Sequence, residues 1–270
     1  GWVDANNNVR SIIASGTTGD LVLKPGWGGA GLAMETITDD PNGAKQVTGM
    51  GTCTDRNIVI PAGVTEIKDG TSALSGAFYN KNITSVSLPN TLTKIGDFAF
   101  FNSNLVSIDI SSGVTKIGKN AFYYCGYLKS ITIPASVTTI SNNPFAYCNK
   151  LETIVVEDGN TAFTSKDASE NQCNAIIEIS SKALISGCKN TVIPTNVTKI
   201  GKNAFNGCSG LTPLTSPNSV TKIEIFAFGN CTGLTLITIP ASVTTLGQNP
   251  FLGCKSLNTI VVADGNTVYT

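Results

Sequence analysis

The chain contains no histidine among its 270 residues. That absence removes the Ser-His-Asp and Cys-His nucleophile systems, the most frequent zinc-ligand sets and the side chain that usually moves protons near neutral pH. Charge is scarce too: 18 Lys plus Arg balance 18 Asp plus Glu, and charged residues make up only 13%. Capture of nucleic acid or of an anionic membrane surface needs clustered Lys and Arg, so neither is expected as a partner. No run approaches the roughly 18 apolar residues of a membrane-spanning helix. The opening Gly1-Trp2-Val3-Asp4 lacks the basic and then apolar start of a secretory leader. A soluble chain without membrane insertion, cut from something longer, is the expectation.

What is present is a beat. Val114, Val137, Val197, Val220 and Val243 each open the phrase Val-Thr-x-(Ile/Leu), at steps of 23, 60, 23 and 23 residues. The fuller phrase adds (Ala/Pro)-Phe-x-x-Cys-x-x-Leu-x-x-(Ile/Leu) and is complete in Pro134 to Ile154 and Pro240 to Ile260. A fixed period in the twenties predicts stacked coils, each too poor in apolar side chains to stand alone and stable between like neighbours. About seven units fill residues 58–270, with an island at 157–192. A longer period is nested over them, because Thr153-Ile154-Val155-Val156 returns 106 residues later as Thr259-Ile260-Val261-Val262. In both copies the preceding unit carries Asn-Pro-Phe, at Asn143 and at Asn249.

Within a unit, Ile131 and Ile133 read as the inward side of a short strand that Pro134 ends. Val137 and Ile140 mark a second inward segment. Phe145 and Cys148, three residues apart, predict one turn of helix or 3-10 helix, with Asn143 as its cap and Pro144 at its first position. Residues 1–57 lie outside the beat and read as a small β cap or module, with strands at Val9–Ala14, Gly19–Leu23 and Gln46–Gly49.

The phrase Ile-Pro-x-Ser-Val-Thr-x-Ile-Gly-x-x-Ala-Phe-x-x-Cys-x-x-Leu resembles the BspA-type leucine-rich repeat of bacterial and protist surface proteins. The stretch from Cys173-Asn174-Ala175-Ile176-Ile177-Glu178 to Leu184-Ile185-Ser186-Gly187-Cys188 is similar to an insertion seen in bacterial members. The resemblance implies a mainly β leucine-rich repeat horseshoe or solenoid, with a parallel sheet on its concave face, and display on a cell surface or secretion with adhesive roles. It carries no catalytic residues. A second, shorter resemblance, to an internalin-type B-repeat of β-grasp-like fold, rests on Gly1 to Asn8, Thr17 to Lys24 and Trp27.

Leucine-rich repeats usually bind on the concave face. The outward positions of the Leu-x-x-Ile-x-Ile strand are therefore the expected ligand-binding residues: Ser85, Ser87, Ser107, Asp109, Ser130, Thr132, Thr153, Val155, Thr215, Leu236, Thr238 and Thr259, with Pro213 and Val261 in the same frame. That surface is rich in hydroxyls and without aromatics, which predicts weak or multivalent binding; solvated strands also favour Ser and Thr for their own reasons. Phe101, Tyr123 and Tyr124 are expected as exposed aromatic anchors beside the core position of Phe122.

Cys125, Cys148, Cys208, Cys231 and Cys254 hold one repeat position and read as buried packing thiols. Cys173 and Cys188 are symmetric about the centre of Ser180-Ser181. A hairpin turning there would set them opposite each other, and a disulfide and two free thiols both stay open. Without histidine or a Cys-x-x-Cys pair, no metal is expected. Asp4 to Asn8 imitates the start of a calcium loop, but Ser15 stands where a bidentate Glu is needed. Glu35, Asp39 and Asp40 read as loop solvation. No cofactor and no enzyme activity are expected. Two functions compete: a binding array for a host or bacterial protein or glycan, and a spacer holding another module away from the cell.

Overall fold

The computed structural model describes residues 2–3, 9–10, 31–36 and 43–269. The B-repeat-like stretch lies almost wholly outside the described residues, as do Asp4 to Asn8, Ser15, Asp39 and Asp40. Trp2–Val3 and Val9–Arg10 pair antiparallel. The hairpin of Ala33–Thr36 and Lys45–Gly49 lays its second strand parallel to Val64–Ile67, so the residues before the first unit extend the stack.

The remainder is a solenoid of about nine turns. Each regular turn has three sides. The first is the Leu-x-x-Ile-x-Ile strand, at Asn57–Val59, Ser85–Ser87, Ser107–Asp109, Ser130–Ile133, Thr153–Val156, Leu214–Thr215, Leu236–Ile239 and Thr259–Val262. Where these strands pair they run parallel, 28 residues apart in register at Asn57↔Ser85 and 22 or 23 apart afterwards, as in Ser85↔Ser107 and Ile131↔Ile154. The second side is the Val-Thr-x-Ile segment, which forms a parallel ladder of its own, for example Ile95↔Ile117↔Ile140 and Ile200↔Ile223↔Leu246. One concave sheet was expected; two ladders are present. The second arises because the segment, although two residues long, repeats at the same height in every coil and finds its ladder partners there.

The third side carries Ala-Phe-x-x-Cys. The expected helical turn is absent among the described residues, where this segment is a series of turns. The backbone explains why. Two residues before the core Phe, Phe98, Asn120, Asn203, Phe226 and Asn249 take left-handed φ values, and two residues after it so do Asn80, Asn102, Tyr124, Tyr147, Gly207, Asn230 and Gly253. A left-handed residue on both sides prevents helical propagation. The Phe amide is also committed elsewhere. It donates to the next coil, from Phe100 to the Ala121 carbonyl at 2.7 Å and from Phe205 to the Ala227 carbonyl at 2.7 Å. The turn edge is thus a third inter-coil ladder.

Inside, the Phe rings stack along the axis: Phe78–Phe100 at 5.1 Å, Phe100–Phe122 and Phe122–Phe145 at 5.3 Å, then Phe205–Phe228 at 5.1 Å. Each ring packs its faces against like rings along the axis.

The island differs from a protruding hairpin. Phe163–Lys166, Gln172–Glu178 and Ala183–Gly187 form an antiparallel meander whose last strand pairs in parallel with Lys199–Ile200. The island therefore supplies a rung of the second ladder. Its Gly187 leaves no room for a side chain, since a Cβ there would lie 2.1 Å from the Phe205 ring.

Candidate functional site

The expected ligand-binding positions line up within three strand groups, Ser85 to Asp109, Ser130 to Val155 and, past the island, Thr215 to Thr259. Because the strands pair in register and the pleat sends Val86, Ile108, Ile131, Ile154 and Ile237 inward, the alternate residues share the outer side. Ser87, Ser107, Asp109, Ser130, Thr132, Thr153, Thr215 and Thr259 are exposed; Ser85, Val155, Leu236 and Thr238 are half-buried. Ser85 is tied down, donating to the Asn57 side chain at 2.8 Å. These positions are neutral but for Asp109.

The second ladder carries the charge. Lys94 stands between Asp69 at 2.6 Å and Glu66 at 3.2 Å. Burial pushes its ammonium down, but those two carboxylates hold it above the ordinary lysine value. Burial likewise pushes Asp69 up, and its bonds from Lys94 and the Asp97 amide hold it below the usual carboxylate range.

The aromatics lie on the turn edge, apart from the hydroxyl positions. Phe101 stacks on Tyr123 at 5.1 Å with planes 8° apart, and Tyr79 leans on Phe101 at 5.9 Å. Tyr123 meets Tyr147 at 5.0 Å, and Tyr124 sits on Tyr147 at 4.4 Å while turning its edge to Tyr123. Phe98 closes on Phe101 at 5.9 Å, with the Lys119 ammonium 5.8 Å from its ring centre. The result is a continuous strip across four coils. Phe101 and Tyr123 are half-buried and Tyr124 is 44% exposed, so of the three expected anchors Tyr124 is the most accessible. Burial, then the neighbouring phenols, push Tyr123 up, and burial does the same to Tyr147, so both stay neutral hydrogen-bonding groups.

Two of these rings occupy unusual backbone. Tyr124 and Tyr147 have φ of 62° and 60° at the corner where other coils place Asn80, Asn102, Gly207, Asn230 and Gly253. A left-handed conformation costs a residue with a full side chain about 1–2 kcal/mol, and least for Asn and Gly. Tyr147 has a packing role that offsets the cost: its amide donates to the Asn206 carbonyl at 2.9 Å, and its ring lies where a Cβ on Gly207 would come within 2.4 Å. It bridges the turn edge past the island. Tyr124 has no such backbone bridge across the island. Tyr79, Phe98 and Tyr147 were not singled out from the sequence; the signal that finds Phe98 and Tyr147 is the Asn or Gly recurring two residues either side of the core Phe, against which an aromatic stands out.

Cys173 and Cys188 are both free and buried. The symmetric hairpin that would face them is broken by a bulge between Ile176 and Ile177, which sets Ala175 against Gly187 and so offsets the two thiols by one residue. The Cys188 thiol donates instead to the Glu152 carbonyl at 3.2 Å. Burial pushes Cys173 up to about 11. Beside the island a shallow cleft is lined by Asn142, Glu178, Lys199, Lys202 and Glu224. Among the described residues no group of His, Cys, Asp and Glu is arranged to hold a metal ion.

Comparison with known proteins places this geometry. The sequence matches the BspA type leucine rich repeat region in six copies, over residues 71–183 and 177–269. The chain belongs to the BspA-type leucine-rich repeat family. Among solved structures it is similar to a leucine-rich repeat protein from Eubacterium ventriosum, with 22% identity over 80% of this chain and a TM-score of 0.60. It is also similar to the pneumococcal vaccine antigen PcpA, with 20% identity over 85% of this chain and a TM-score of 0.54. These two likenesses bear on the fold alone; the chain spans 65% and 66% of their lengths. Among curated proteins no sequence relative was found.

Proposed function

We propose that this BspA-type chain is a non-catalytic binding or adhesion array on, or released from, a bacterial surface. It contacts a host or bacterial protein or glycan through the repeat surface. The observation that carries the reading is the register: Ser85↔Ser107, Ser130↔Thr153 and Thr215↔Thr238 hold like side chains at fixed intervals on one side of a stiff stack. Equivalent weak contacts at such spacing add up through multivalency. Family membership supports a protein-binding or adhesive role and supports placement at the cell surface.

The test is immobilisation of the folded chain against defined extracellular-matrix proteins and a glycan array, with Ser107→Lys/Thr132→Lys as the control. Saturable binding that falls at least about tenfold in the double variant is expected, since a lysine there obstructs close approach. Binding to nothing in either panel would favour a spacer that only holds another module at a distance.

A further inference from the structure

From the geometry of the turn edge we propose that the aromatic strip around Tyr124 is a docking surface for an acidic, extended protein segment. The proposal rests on the reading of the chain as a binding array and assigns that array its anchor.

Three observations converge. The first is placement. At the corner two residues past the core Phe, five coils carry Asn or Gly, whereas Tyr124 keeps a left-handed φ of 62° with its side chain 44% exposed. Stacking on Tyr147 accounts for one face of the ring; the rest stays open to solvent in a conformation that disfavours Tyr, which marks the position as one kept for contact.

The second is which part of the rings faces out. Phe101 and Tyr123 are parallel to within 8° and 5.1 Å apart along the stack, and Tyr124 covers Tyr147 at 4.4 Å. Neighbouring rings lie on both sides of Phe101 and Tyr123 and on one face of Tyr124, so this strip presents mostly rims. The rim is the positive end of the ring quadrupole and favours carboxylate and carbonyl oxygens. A sugar ring stacks on aromatic faces, most of which are taken. Rings locked by mutual stacking also lose little freedom on binding, as in tyrosine-rich recognition surfaces.

The third is charge. Exposed Lys119 lies over Phe98 at 5.8 Å and exposed Lys150 over Tyr127 at 4.6 Å. Among the described residues neither ammonium has a carboxylate within ion-pair distance; the nearby Asp97 carboxylate accepts from the Lys119 backbone amide at 2.7 Å. In a chain of zero net charge, two uncompensated ammoniums beside an aromatic strip complement an acidic partner.

The experiment pans a displayed library of random peptides against the whole folded chain, with an array of sialylated and uronate-bearing glycans in parallel. Enriched peptides are expected to be rich in Asp and Glu. Their affinity should fall about tenfold in Tyr124→Asn, as for an aromatic hot spot, and should fall with added salt and in Lys119→Gln. Tyr124→Asn installs the residue other corners use, so its melting temperature should equal or exceed that of the parent chain. No enrichment, enrichment without acidic residues, or undiminished peptide binding to Tyr124→Asn would overturn the proposal. So would Tyr124-dependent binding of the acidic glycans in place of peptides. If the matrix or glycan panel binds the chain but no acidic peptide does, the docking proposal fails and the array stands. Peptide capture by the strip with nothing bound in that panel supports the docking surface and counts against the array.

Discussion

The Cys125 thiol donates to the Phe100 carbonyl at 3.2 Å, and the bond recurs from Cys148 to Phe122, Cys231 to Phe205 and Cys254 to Phe228. A packing residue was expected here. The position in fact asks for a small apolar side chain with a weak donor, and Ser103 fills it one coil earlier, 3.3 Å from the Cys125 sulfur. The other polar letters act alike: Thr115 donates to the Thr93 carbonyl, and Ser136 to that of Val114. Burial pushes Cys125 and Cys208 up to about 12 and raises Cys148. Cys254 differs, because a hydrogen bond from Cys231 to its thiolate lowers it below the ordinary thiol value. Thiolate is the reactive form, so Cys254 should be alkylated by iodoacetamide before Cys125 and Cys148, and at lower pH. Cys125 and Cys148 should resist until the chain unfolds. Mass spectrometry of the labelled native chain reads the order; labelling of Cys125 as fast as Cys254 would contradict it.

At the scale of elements, the places where the beat breaks are closed by asparagines. Asn143 is buried and makes four bonds: its amide donates to the Asn203 and Ala204 carbonyls at 2.7 and 3.0 Å, and its oxygen accepts from the Phe145 amide and the Ser186 hydroxyl. It joins coils 60 residues apart in sequence, across the island. Asn160 caps the return of the chain, donating to the Pro134 and Val137 carbonyls, and Asn266 repeats the pattern on Pro240 and Val243. The recurrence of Asn-Pro-Phe was visible in the sequence and suggested a helix cap; the true partners, on the far side of the island, were not, because nothing local encodes a contact at that separation. Nor does alternation reveal the bulge at Ile176 and Ile177 that moves Cys173 off Cys188. Asn143→Ala leaves several buried groups without partners and should lower stability by about 3 kcal/mol in urea titration. Asn249→Ala, at the exposed counterpart, should cost only the about 1–2 kcal/mol of its left-handed φ of 49°. Equal losses at both sites would show that the bridge carries no special load.

Over the whole molecule the coils stack on three ladders, and the buried apolar residues fall into two clusters that meet at the island. The period, the inward Ile and Val positions and the core Phe were legible because they repeat with burial. The second strand ladder and the left-handed corners were not. A two-residue strand has no alternation to read, and a corner shows only through what stands in it. Binding at the turn edge requires that edge to be as firmly held as the strands. Residue-resolved hydrogen exchange tests this most directly. The amides of Phe100, Phe122, Phe205 and Phe228, each bonded to the next coil, should be protected as strongly as strand amides bonded across coils. Exchange of those four at the rate of exposed loops would contradict the third ladder and leave the aromatic strip without a rigid base.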